Sequence, residues 1–209
     1  MKSSIWNFWA NKYSKLWVQK YSLRPTRNYI VNAISQNKFN NDIRVLDLGC
    51  GPGELIEELS DKFDNFHITG LDFSEKMIEI SKLKNKRANH ILMDAAELNK
   101  INKKFKIIIC THSFPYYREP VKVLKDLYRL LEDDGKIFIG FASGDSFYDK
   151  LVLSFVKLTT GHADYPSDEK FRQMADMTGG IFKIENLKII KEKPYMPRIA
   201  VYTLRKVNT

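Results

Sequence analysis

The chain has 209 residues, 44% of them hydrophobic and 28% charged, the balance of a globular domain long enough to bury its own core. No apolar run approaches the ~20 residues that span a bilayer, and Trp6, Phe8 and Trp9 are broken up by Asn7 and Asn11 with no small-residue cleavage site after them, so the expectation is a cytoplasmic protein. Lys and Arg outnumber Asp and Glu by 34 to 25, a net charge of +9, which points either to solvated basic faces or to an anionic partner.

Seven of those cations, Lys2, Lys12, Lys15, Lys20, Arg24, Arg27 and Lys38, fall in residues 1–41, which hold no acid. Residues 4–20 read as one helix, because Trp6, Trp9, Tyr13 and Trp17 recur at spacings of three and four and share a face. Pro25 suits the first turn of a second helix over 25–37. Asn40, Asn41 and Asp42 then punctuate the chain.

From there the pattern alternates. Residues 43–48 form a strand, 49–53 a glycine-rich turn and 54–62 a helix with Leu55 and Leu59 on one face. A second strand spans 66–71, and Ser74 caps a helix running to about Leu83. A third strand follows at 90–93. The fourth, 105–110, carries the run Ile107-Ile108-Ile109 and is apolar on both faces, as central parallel strands are. Val121, Leu124, Leu127, Tyr128 and Leu131 stripe a helix over 119–131, and a fifth strand covers 136–141. Residues 144–180 read as helices and loops, and 182–191 with 198–206 as a terminal antiparallel hairpin. Strands separated by helices imply a parallel sheet with right-handed crossovers. Cys50 and Cys110 each end a strand, far from a second thiol or a His pair, so neither a disulfide nor a metal site is expected.

The densest signal is Val45-Leu46-Asp47-Leu48-Gly49-Cys50-Gly51-Pro52-Gly53. A hydrophobic strand ends in an acid, and a glycine turn opens a helix. Such a turn lets the backbone approach a ligand closely, and ligands of open α/β sheets lie beyond the carboxyl ends of the strands. A dinucleotide turn would read G-x-G-x-x-G, but its last position here is Glu54, a carboxylate that would repel a pyrophosphate. The turn suits a cofactor without phosphates.

These nine residues resemble the signature of the class I S-adenosylmethionine-dependent methyltransferases. Gly70-Leu71-Asp72-Phe73-Ser74 resembles the family's second motif, and Met93-Asp94-Ala95-Ala96-Glu97-Leu98 the third. The helix before Asp133-Asp134-Gly135 resembles the one leading to strand five, with the usual Pro-Gly-Gly turn reduced. Residues 1–30 are similar to the N-terminal helix of small-molecule methyltransferases related to the quinone-biosynthesis C-methyltransferases, with Ala10 and Tyr13 in place and Ser14 where an acid is usual. The resemblance implies a single α/β domain with a Rossmann-like, doubly wound, mostly parallel seven-stranded sheet. In it, 1–40 would be a helical lid, 41–141 the cofactor-binding core and 142–209 the acceptor-side insert and terminal hairpin.

For the cofactor, S-adenosylmethionine, the resemblance implies a set of residues. Asp72 would hold the ribose hydroxyls, Asp94 and the Ala95 backbone the adenine edge, and Phe73 and Met77 the adenosine faces. Tyr13 would sit over the methionine part. Asp47, Gly49, Cys50, Gly51, Gly53 and Thr111 complete the set. Methyl transfer from a sulfonium needs mainly alignment, and a base only where the nucleophile must lose a proton. His112 is the candidate base, or it orders its loop through a backbone hydrogen bond. Tyr116, Tyr117 and Phe141 are expected on an acceptor wall. Ser113-Phe114-Pro115-Tyr116 is a partial match to the loop of amino-group methyltransferases, with Phe114 where the first proline stands. A small-molecule acceptor is the leading reading. The alternatives are an RNA or protein acceptor served by the basic N-terminus, an NAD-dependent oxidoreductase, and a non-catalytic cofactor-binding protein.

Overall fold

The computed structural model describes the backbone of residues 3–13, 18–160 and 163–207, and the side chains of 5–10, 18–157 and 163–207. Seven strands form one sheet: β1 (Ile43–Leu48), β2 (Phe66–Asp72), β3 (Asn89–Leu92), β4 (Phe105–Thr111), β5 (Leu131–Ala142), β6 (Phe182–Ile190) and β7 (Ile199–Lys206). Their order across the sheet is β3-β2-β1-β4-β5-β7-β6. Pairs among β1–β5 are parallel, and β7 runs antiparallel to both β5 and β6. This is the Rossmann-like, mostly parallel sheet with a terminal antiparallel pair that the sequence predicts. The chain winds outward through β2 and β3, then returns to β4, so the strand order reverses between β1 and β4.

Among the described residues seven α-helices surround it: α1 (Ser3–Tyr13), α2 (Arg24–Ser35), α3 (Glu54–Lys62), α4 (Glu75–Lys84), α5 (Pro120–Leu130), α6 (Phe147–Thr160) and α7 (Asp168–Asp176). Successive strand residues point to opposite faces, and β4 shows how one apolar run serves two cores. Ile107 and Ile109 pack with Val45, Ile68 and Phe138 under Ile30 and Ile34 of α2, Leu55, Ile56 and Leu59 of α3, and Ile78 of α4. Ile108 and Cys110 pack with Leu46, Leu48 and Ile139 under Leu124 and Leu127 of α5 and Phe171 of α7. Both cysteines are free and buried. No group of His, Cys, Asp and Glu among the described residues is placed to hold a metal, and no helix there is long and apolar enough to cross a membrane.

Four expectations need correction. The predicted first helix is described over Ser3–Tyr13, residues 14–17 with Trp17 lie outside the described residues, and a π-helical turn, Gln19–Leu23, takes the place of its predicted end and leads straight into α2, which starts at Arg24. The third strand is Asn89–Leu92, one residue earlier than predicted. β5 begins at Leu131 because that buried residue already pairs with Phe105, and the register shifts before Ile107 meets Lys136. Asp133-Asp134-Gly135 is therefore an irregularity within a strand, although its composition reads as a turn. The last is Phe141. It is fully buried, with ring centroids 5.7 Å from Phe114 and 5.6 Å from Tyr202, so it fills the core under α7 and not an acceptor wall.

Candidate functional site

The carboxyl ends of β1, β2, β3 and β4 converge where the strand order reverses, which is where open α/β sheets bind ligands. The turn after β1 takes positive φ at Gly49, Gly51 and Gly53, at 74°, 53° and 85°. At Gly49 a Cβ would also lie 2.4 Å from the Ser113 Cβ, so both backbone and space require glycine. Its amide and that of Cys50 donate to the Leu71 carbonyl at 2.7 and 3.0 Å, which ties the turn to β2.

Asp72 ends β2 and organises the next two turns. Its Oδ2 accepts from the Gly51 amide and its Oδ1 from the Ser74 amide, both at 2.9 Å. Ser74 Oγ then accepts from the Met77 amide at 3.3 Å, capping α4. Burial pushes the Asp72 carboxyl up, while the Ser74 and Gly51 amides pull it down. After β3, Asp94 Oδ1 accepts from the Ala96 amide at 3.0 Å.

Asp47 differs. It is 1% exposed and neither carboxylate oxygen has a hydrogen-bond partner. Burial first, and then the neighbouring Asp72 charge, push it up from 3.8 to about 8, against the pull of Arg27. Of the two buried carboxylates, Asp47 has no donors to offset its burial, whereas Asp72 has backbone amides that do.

A cleft of about 610 Å³, open mouth included, lies between these strand ends. Of the predicted cofactor residues, Gly49, Gly51, Asp72, Phe73, Met77, Asp94, Ala95 and Thr111 line it, and His112, Tyr116 and Tyr117 form its other wall. Cys50, Gly53 and Asp47 do not. Cys50 is buried under the turn, a Cβ on Gly53 would abut Ser81 and Asn85 behind it, and Asp47 sits directly behind the lining residues Leu48 and Gly49. The side chain of Tyr13 lies outside the described residues.

Sequence reasoning missed Trp6, Ser113, Leu48, Leu71 and Met93, which also line the cleft. Trp6 meets Tyr116 edge-on at 4.9 Å, so α1 closes one side. Asn7 holds α1 there, its Oδ1 accepting from Ser74 Oγ at 2.6 Å. Opposite, the Tyr117 hydroxyl donates to Ser113 Oγ, and Ser113 Oγ to the Leu48 carbonyl, both at 2.9 Å. This chain needs a small hydroxyl residue facing Gly49. Ser113 was visible in the loop motif, but its partner was not.

His112 has φ 59°, a conformation that non-glycine residues seldom adopt. Its amide donates to the Gly140 carbonyl at 2.6 Å. Thr26 Oγ1 donates to the Ser22 carbonyl at 2.8 Å, so its lone pair is free to accept from His112 Nε2, 3.0 Å away. Burial, and then the Arg27 charge, push the imidazole down from 6.5 to about 4, so it is neutral at pH 7. Its ring resonances are expected not to titrate between about pH 8 and 5. Because the unfolded chain binds this proton first, His112 makes stability fall as pH drops from 6.5 to about 4. His112→Gln should remove that part of the slope, and an NMR midpoint near 6.5 for His112 would contradict the assignment.

Residues 45–135 match the family described as "Methyltransferase domain". The chain is 35% identical over 118 residues to a malonyl-[acyl-carrier protein] O-methyltransferase of Priestia megaterium, covering 55% of this chain and 43% of that protein. It is 33% identical over 99 residues to a demethylmenaquinone methyltransferase of Thermotoga maritima, covering 47% and 43%. The chain thus spans less than half the length of either relative. Among solved structures, the magnesium protoporphyrin IX methyltransferase of Synechocystis, with bound SAH, superposes with a TM-score of 0.70 at 18% identity, over 88% of this chain and 83% of that one. The motif-bearing strand ends and the strand order agree with that match, so residues 45–135 resemble a methyltransferase domain in sequence and the sheet resembles one in fold.

Proposed function

We propose that the chain binds S-adenosylmethionine in this cleft and aligns a small, partly apolar acceptor for in-line methyl transfer. The observation that carries the reading is the convergence of the glycine turn, Asp72 and Asp94 on one cleft at the strand-order reversal. When bound, the cofactor supplies a methyl group on a sulfonium, whose departure needs little assistance. The chain's part is to bind and orient. On this reading Asp72 holds the ribose hydroxyls, Asp94 and Ala95 read the adenine edge, and Phe73 and Met77 pack the adenosine. Asp47, behind the turn, offers a carboxylate toward a cation above Gly49. Tyr116, Tyr117 and His112 face the acceptor, Trp6 and α1 act as the lid, residues 142–209 flank the acceptor side, and the cytoplasm is the setting.

Two features favour a small acceptor and a cofactor without phosphates. No Lys or Arg is among the described residues that line the cleft, whereas a phosphodiester acceptor calls for cations at the mouth. Arg27 is spent internally, on Glu58 at 2.9 Å and Gln19 at 3.1 Å. Glu54 stands where a dinucleotide turn has its last glycine. It opens α3, its buried Oε1 has no hydrogen-bond partner, and Lys84 comes only within 3.9 Å, a poor setting for a pyrophosphate.

Calorimetry is expected to show binding of S-adenosylmethionine and S-adenosylhomocysteine and none of NAD. With methyl-labelled cofactor, label should enter a small-metabolite extract. Label entering only total RNA, and lost as salt is raised, would promote the RNA reading; tight NAD binding alone would overturn the cofactor.

A further inference from the structure

The outward face of α6 is apolar. Phe147, Leu151 and Phe155 recur every four residues and so stack along one side of the helix, at 84%, 48% and 63% exposure. On the inner side Asp149 and Leu153 are buried, so the helix is seated on the domain and the stripe is what it leaves outside. Tyr148, on the flank, donates its hydroxyl to the Tyr195 backbone carbonyl at 2.6 Å. That bond holds the β6–β7 connection alongside α6 and adds the exposed Tyr195 ring to the same surface. Large apolar side chains grouped in this way mark an interaction surface.

The charges around the stripe indicate the partner. Lys150 and Lys157, two turns apart on one flank, are exposed, as are Lys191 and Lys193 in the adjoining connection; Glu192 is the one exposed acid across 147–157 and 191–195. A second copy docked on this face would bring like charges together, and each copy already carries +9. An apolar stripe edged by tyrosines and flanked by lysines suits a helix lying in the headgroup region of a bilayer. We propose that α6 and the β6–β7 connection dock on an anionic phospholipid surface. This inference does not depend on the cleft's chemistry. It does have a consequence for the cleft, because the segment after α6 is bonded to its wall: the Asp164 amide donates to the Pro115 carbonyl at 2.7 Å, and the Tyr165 and Tyr116 hydroxyls are 3.0 Å apart.

The test is co-sedimentation of the full chain with vesicles of phosphatidylcholine alone and with added phosphatidylglycerol, at about 0.1 M salt. Binding is expected only with phosphatidylglycerol. Leu151→Ser/Phe155→Ser should weaken it by about tenfold or more, because apolar area leaves the interface, and Lys150→Glu/Lys157→Glu should weaken it too. Circular dichroism and thermal unfolding check that each variant folds, and Phe147→Ser, at the most exposed site, serves if the double variant does not. Three results would overturn the proposal. One is no binding to either vesicle. Another is undiminished binding by the apolar variants, which would mean cationic adsorption alone. The third is a solution dimer that the apolar variants dissociate, which would assign the face to a second copy.

Discussion

Replacing Asp72 by alanine is expected to weaken binding of S-adenosylhomocysteine by about 1.5–3 kcal/mol, the scale for hydrogen bonds to a charged group. On the proposed reading the carboxylate contacts the ribose. In the structure it also ties the Gly51 and Ser74 amides together. Alanine frees both amides, so the glycine turn and the start of α4 loosen along with the direct loss. Asp72→Asn keeps a carbonyl acceptor and should fall between the two. Calorimetry gives the affinities, and urea unfolding separates loss of contact from loss of fold. A folded Asp72→Ala protein that binds as tightly as the parent would remove Asp72 from the site.

The second large effect concerns pH and Asp47. Its carboxyl is raised from 3.8 to about 8 in the folded protein. Between those values the unfolded chain has released the proton and the folded chain still holds it, so the ligand-free protein loses stability as pH rises through that window. At about 1.4 kcal/mol per unit the full loss is roughly 4–6 kcal/mol. Asp47→Asn should flatten that slope and raise the unfolding temperature above about pH 8. Binding of a cationic cofactor above Gly49 would favour the ionised form, so at pH 7 it should release protons, read as a buffer-dependent binding enthalpy. Parallel stability profiles for the parent and Asp47→Asn would show that Asp47 ionises normally.

The parts of the fold that could be read from the sequence are those where a local pattern decides the outcome. β1 to β4 and the helices between them show their periods openly, and the glycine turn states its own geometry. Other parts depended on long-range packing. Leu131 belongs to β5 only because Phe105 is there to pair with it, so Leu131 reads as the end of a helix and the Asp-Asp-Gly that follows as a turn. Phe141 was placed on the acceptor wall as one of a group of aromatic residues, but strand alternation turns it toward α7 and away from the cleft. Trp6 was recognised as part of an apolar face, yet its position beside Tyr116 follows from how Asn7 docks α1 on α4. Asp47 was grouped with the lining acids by its motif, and only the three-dimensional arrangement shows it one residue behind them.

The place of β7 bears on how the molecule assembles. This strand follows β6 in sequence, yet it lies inside the sheet between β5 and β6, with Val201, Tyr202 and Leu204 fully buried. During synthesis β5 therefore presents an open edge until residues 199–206 have left the ribosome, and until then β6 has no partner in the sheet at all. The parallel half, β1 to β5, is complete well before that point. A chain folded only that far would be a five-stranded sheet with a bare edge, the kind of surface through which nascent chains aggregate. β6 and β7 pair as a local antiparallel hairpin, and it is β7 that joins that hairpin to the edge of β5. Its pairs with β5 join residues some sixty positions apart in sequence, so closing that seam is non-local in the same way as pairing β1 with β4.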